Sequence, residues 1–302
     1  MSHRLAVAMA IAVIIPLTTV EGQQVPSFRA ETRLVVLHAT VKDRRGEQLT
    51  NLDRSAFTVF ENGRRQPIAF FRRDDVPVSL GLVIDNSGSM RSLRAKVEEA
   101  ALTFVRASNP LDDVFVLNFA DEAHVDVPLT SDVRVLEAGI ARVDSIGGTA
   151  MRDAVVMAEG YLRQHASHDR RVLLVITDGN DNASAASIDQ LRKTIEHSET
   201  AVFAVGLFRD SAPSTGHGRK ELDYLTKLTG GVAYYPTSID QIDSVVLEIA
   251  RQIRNEYTIA YAPVNQAFDG TYRAIRLEVT GPGGSSVRTR PGYWATPTPV
   301  LP

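Results

Sequence analysis

The sequence predicts a doubly wound α/β domain with a mostly parallel sheet, flanked on both sides by short β segments. Three observations carry that prediction. Apolar runs at 80–84, 114–119, 172–176 and 202–207 are nearly continuous, as parallel strands covered on both faces must be. Helical patterns lie between them. The clearest has Ile239, Ile242, Val245, Val246, Ile249 and Ile253 spaced by three or four along one face. In the flanks, at 35–41, 257–261 and 275–279, the pattern changes to alternation, the period of a half-buried strand.

Residues 1–22 read as a secretory signal. His3 and Arg4 give a short basic start, an apolar run follows at 5–20 with Pro16 inside it, and Val20-Glu21-Gly22 offers small residues for cleavage. The run is short against the roughly 20 residues of a membrane span, and an uncleaved N-terminal anchor is the alternative, the only membrane attachment expected. In either case the rest of the chain is expected to be secreted or periplasmic.

Residues 23–76 read as β. Val35, Leu37, Ala39 and Val41 alternate with their neighbours, and Asp43-Arg44-Arg45-Gly46 is a turn. A strand at 57–60 leads into Asn62-Gly63, a hairpin signal because both residues tolerate positive φ. The run at 68–71 is expected to be the return strand, and Arg72-Arg73-Asp74-Asp75 a linker.

In the α/β domain, helices are expected at 92–107, 132–143, 151–165, 188–197, 220–228 and 239–253, with Gly230-Gly231 as a stop and Ser238 as an N-cap. Residues 256–296 return to β. Tyr257, Ile259 and Tyr261 alternate, as do Ile275, Leu277 and Val279; Asp269-Gly270 and Gly281-Pro282-Gly283-Gly284 are turns, and a last strand falls at 287–290. Residues 297–302 form a Pro-rich tail. Each flank has too few strands to stand alone. The two are therefore expected to pair into one small β-sandwich, with the α/β domain inserted between them.

Composition narrows the function. The 302 residues are 44% hydrophobic and 23% charged, with a net charge of -3 and no dense Lys/Arg block. That balance argues against a nucleic-acid partner. The absence of cysteine excludes disulfides, thiolate metal sites, a cysteine nucleophile and a lipidated cysteine.

The most informative stretch is Asp85-Asn86-Ser87-Gly88-Ser89, directly after an apolar strand. Ligands bind beyond the carboxyl ends of strands in such sheets. Asp85 lies at one such end and Asp178, in Thr177-Asp178-Gly179, at another. Ser87 and Ser89 alternate around a glycine, and Thr149 follows Gly147-Gly148, whose lack of side chains lets the loop approach closely. The donors are all oxygens. They select a hard cation, Mg²⁺, with Mn²⁺ or Ca²⁺ as alternatives.

These three pieces together resemble the metal-ion-dependent adhesion site of the von Willebrand factor type A family, and all five positions match. The likeness spans about 78–255 and is less specific in the flanks, where Arg290-Pro291-Gly292-Tyr293 resembles a bacterial group of secreted proteins with this domain. The resemblance implies that Ser87, Ser89 and Thr149 contact the metal while Asp85 and Asp178 act largely through water. It also implies that an Asp or Glu carboxylate of a protein partner completes the coordination. The expected function is a cation-dependent adhesion or protein-interaction module rather than an enzyme, with no catalytic residue assigned. A metal-dependent hydrolase and a scaffold stiffened by its cation are the alternatives.

Other constellations are weaker. Asp178 to Asn182 is similar to a calcium loop but lacks the downstream glutamate, Asn182-Ala183-Ser184 matches a glycosylation triplet, and His165 and His168 read as surface residues. There is no Gly-x-Ser-x-Gly elbow, no His-Glu-x-x-His and no phosphate-binding Gly-x-x-x-x-Gly-Lys.

Overall fold

The computed structural model describes residues 34–140, 146–179, 181–208, 215–281 and 284–296. The expected signal at 1–22 and the tail at 297–302 lie outside the described residues, as does the end of the helix expected at 132–143. Among the described residues no helix is long and apolar enough to cross a membrane.

The N-terminal β segment contributes β1 (Val35–Lys42), β2 (Phe57–Glu61), β3 (Arg64–Gln66) and β4 (Ile68–Arg72). Asn62 and Gly63 both have positive φ, 48° and 78°, as the hairpin requires. The return strand is not the run at 68–71. It is β3, which pairs with β2, while β4 crosses to the other sheet and pairs with β11 (Tyr257–Tyr261). Pro67 stands between the two and has no N–H to donate, so the ladder breaks there and the chain changes sheets.

The central domain follows. Its elements are β5 (Ser79–Asp85), α1 (Arg94–Ala107), β6 (Asp113–Phe119), β7 (Ala123–Thr130), α2 (Val133–Ile140), α3 (Met151–His165), β8 (Arg171–Thr177), α4 (Ile188–Glu196), β9 (Ala201–Gly206), α5 (Thr215–Thr229), β10 (Ala233–Tyr234) and α6 (Ile242–Arg254). The six strands run in the order β10-β9-β8-β5-β6-β7, parallel except for β7, which is antiparallel to β6. β7 and β10 were not anticipated. Both are edge strands, and β7 carries Pro128 and polar residues that hide its alternation. Apolar side chains of α1, α2 and α6 pack on one face of the sheet and those of α3, α4 and α5 on the other. β5 is buried along its whole length, so its last residue is held rigidly at the sheet's carboxyl edge.

The C-terminal segment adds β11, β12 (Tyr272–Val279), β13 (Ser286–Arg288) and β14 (Gly292–Trp294). Two antiparallel sheets result, ordered β13-β1-β11-β4 and β14-β12-β2-β3. Each takes strands from both flanks. Val35, Leu37, Ala39 and Val41 share one buried core with Val59, Ile259, Ile275 and Leu277.

Candidate cation site

The strand order turns in opposite directions on either side of β5, so the crevice at the carboxyl ends of β5 and β8 is a topological switch point. Asp85 ends β5, and Thr177 ends β8 with Asp178 next in the chain. Asp85 Oδ2 accepts from Thr177 Oγ1 at 2.6 Å and its Oδ1 from the Ser87 amide at 2.8 Å. Ser87 Oγ and Ser89 Oγ lie 3.0 Å apart, and Ser89 Oγ donates to Asp178 Oδ1 at 3.0 Å. Four of the five expected residues thus form one hydrogen-bonded string.

Thr149 joins through its backbone. The Gly88 amide donates to Gly147 O at 3.0 Å, the Gly148 amide to Asp121 Oδ1 at 2.7 Å and the Thr149 amide to Asn182 Oδ1 at 2.8 Å. The Asn182 amide returns a bond to Thr149 O at 3.0 Å. Three loops from three parts of the chain are therefore pinned to one another beside Asp85. No hydrogen bond joins the Thr149 hydroxyl to the other four side chains among the described residues.

Several residues that hold the site were not assigned to it from sequence. Asp121 and Asn182 anchor the Thr149 loop, and Thr177 anchors Asp85. Asn86 donates through its side chain to Asn118 Oδ1 at 2.5 Å, and Asn118 to Asp126 Oδ2 at 2.7 Å. Asn86 and Thr177 lay inside the sequence motifs and Asn182 in a calcium-like loop, but none was given a role in the site. That loop has another use: Asp181 Oδ2 accepts from the Arg152 amide at 2.8 Å in the first turn of α3.

Asp85 and Ser87 are each 1% exposed and Thr149 4%, while Ser89 is exposed and Asp178 half-buried. Burial pushes the Asp85 carboxyl up to about 6, against the hydrogen bonds from Ser87 and Thr177 and with the Asp178 charge adding to the rise. No lysine or arginine among the described residues is ion-paired with Asp85. Nor does any group of three or more His, Cys, Asp or Glu gather there. The donor set is two carboxylates with hydroxyls. It fits one hard divalent cation, whose charge would balance the two carboxylates, and offers nothing to a soft metal.

Residues 80–180, which contain all five positions, match the von Willebrand factor type A domain family. The chain contains a von Willebrand factor type A domain. Solved structures with the same fold are distant in sequence. A von Willebrand factor type A protein from Catenulispora acidiphila is 13% identical, with 89% of this chain and 74% of that one covered and a TM-score of 0.52. The von Willebrand factor domain of the type V pili tip protein Mfa5 from Porphyromonas gingivalis is 11% identical over 59% of this chain and 95% of that one, at 0.50. The D319A mutant of the PilB minor pilin from Streptococcus sanguinis is 12% identical over 64% of each chain, at 0.50. These likenesses establish the fold of the type A domain. No curated protein matches the sequence.

Proposed function

We propose that the type A domain is an adhesion or protein-interaction module that holds Mg²⁺, or Mn²⁺ or Ca²⁺ in its place, and grips an Asp or Glu carboxylate of a protein partner. The observation that carries this reading is the string Thr177–Asp85–Ser87–Ser89–Asp178 at the switch point of the sheet. Ser87, Ser89 and Thr149 would hold the ion directly, with Asp85 and Asp178 behind them. A cation whose protein ligands are mostly neutral hydroxyls stays electrophilic, and that is the chemistry it supplies: attraction for a further carboxylate. The chain's own part is to fix the donors. Thr177 and the Ser87 amide orient Asp85, while Asp121 and Asn182 hold the Thr149 loop close. The pilus proteins among the structural neighbours are consistent with adhesion. Export to the periplasm or medium, read from residues 1–22, belongs to the same proposal.

Calorimetric titration of Mg²⁺, Mn²⁺ and Ca²⁺ into the wild type, Asp85→Asn and Asp178→Ala tests it, with thermal melting in parallel. Saturable binding is expected in the wild type alone, with a stabilisation of about 2.7 kcal/mol at a hundredfold excess over Kd. Neither variant should be stabilised by adding the cation. A folded wild type that binds none of the three ions sinks the reading.

A further inference from the structure

At the opposite end of the sheet from the cation site, a cavity of about 640 Å³ opens between the β-sandwich and the type A domain. Ligand pockets have about this volume and often lie at such boundaries. One wall is the outer face of β1, β11 and β4. Val35, Leu37 and Ala39 face the sandwich core, so pleating turns Val36 and His38 the other way, toward the cavity. The wall is unusually apolar for a solvent-facing side of an antiparallel sheet. Leu34, Val36 and Phe70 line it, 48%, 42% and 45% exposed.

The other wall is cationic. Arg72, Arg170, Arg171 and Arg290 line the cavity against two carboxylates, Asp169 and Glu199. Arg170 is ion-paired with Glu256 at 2.6 Å and Arg72 with Asp74 at 3.2 Å. The Arg171 guanidinium has no hydrogen-bond or ion-pair partner among the described residues, although its Nε is wholly buried. Arg170, with 6% of its side chain exposed, also has an unpartnered Nε. Glu159, the carboxylate whose charge Arg171 acts on, keeps its own Oε2 without a partner, so the two are not paired. Neither Nε is open to the cavity, so an anion there would meet the terminal nitrogens of Arg171, which make no hydrogen bond or ion pair among the described residues. Burial, then the charges of Arg170 and Arg290, hold the His38 pKa near 3, so its ring stays neutral beside the cavity.

We propose that this seam binds a small amphiphilic anion, its carboxylate or phosphate head on Arg171 and its apolar part against Leu34, Val36 and Phe70. The site is independent of the cation site and of its proposed function. Neither feature alone would identify this ligand class. The arginine without a counter-ion asks for negative charge, and the exposed apolar wall facing it asks for hydrocarbon.

The probe is octanoate, titrated by calorimetry into the full chain in the presence of chelator, with octanol, octylamine and inorganic phosphate as comparisons. Octanoate is expected to bind saturably at one site. Arg171→Gln should weaken it by roughly tenfold or more, the loss of one charge-assisted bond. Octanol and octylamine should bind more weakly by a similar factor because they lack the negative head, and phosphate because it lacks the tail. A second readout needs no variant: the His38 ring resonances should move on octanoate addition, because the bound anion offsets the field of Arg170 and Arg290. Absence of saturable octanoate binding overturns the proposal. So does octanol or phosphate binding as tightly as octanoate, octanoate binding unchanged in Arg171→Gln, or a His38 signal that does not respond.

Discussion

A Cβ at Gly148 would come 2.7 Å from Asn182 Oδ1 and 2.9 Å from Asp121 Oδ1, so only glycine lets these two side chains reach the loop that carries Thr149. The need for glycine before Thr149 was readable in the sequence. The identity of the two anchors was not, because Asp121 and Asn182 come from loops whose meeting depends on the whole sheet. Glu159 shows the opposite situation, a carboxylate buried in α3 with too little support. Burial raises its pKa against the pull of the Thr200 and Ser198 hydroxyls and of the Arg171 and Arg163 charges. A carboxyl harder to ionise in the folded state than in the unfolded one withdraws stability as pH rises through its folded pKa. Glu159→Gln removes the ionisation and keeps the shape. It is expected to raise the melting temperature at pH 8 and to leave it nearly unchanged at pH 4. A melting curve at each pH checks this, and equal shifts at both would contradict it.

Among the elements, β5, β6, β8 and β9 were legible because strands buried on both faces must be apolar throughout, and α3 and α6 because their apolar faces have helical spacing. The edge strands β7, β10 and β14 were not, since an edge strand needs neither a long apolar run nor regular alternation. The junction of α6 and β11 holds what no local pattern reveals. Glu256 sits there, 5% exposed, and accepts from Arg170 at 2.6 Å and from Thr40 Oγ1 on β1 at 3.1 Å. One side chain thus ties the last helix, the sandwich and the segment entering β8. Removing one partner of a buried pair leaves the other charge uncompensated, which costs about 3–5 kcal/mol. Glu256→Ala should lose stability in that range by denaturant unfolding. Arg170→Met combined with Glu256→Leu should recover most of it, because an apolar pair needs no counter-ion. A double variant no more stable than Glu256→Ala would show that the charges themselves, and not their mutual compensation, hold the junction.

At the scale of the molecule, the insertion of the type A domain between two halves of a sandwich makes the sandwich depend on both chain ends. That dependence was legible from strand count alone: neither flank has enough strands to bury a face. The pairing scheme was not, since β1 finds β11 and β13, and β2 finds β12, across about two hundred intervening residues. The same topology separates the fates of the two units. A chain ending at Asn255 keeps all six strands of the central sheet with both helical layers. It removes both neighbours of β1, one neighbour of β2 and the only partner of β4. What remains of the sandwich is the β2–β3 hairpin, and a lone hairpin is marginal in water. Amide hydrogen exchange on that truncated chain should find β1 and β4 unprotected while β5 and β8 stay protected, though less than in the full chain because Arg170 has lost Glu256. The cation titration should still succeed, because every residue of the string from Thr177 to Asp178 is retained. Protection of β1 in the truncated chain would mean that the N-terminal segment folds without its partner strands, and the sandwich would then be two independent pieces that merely touch.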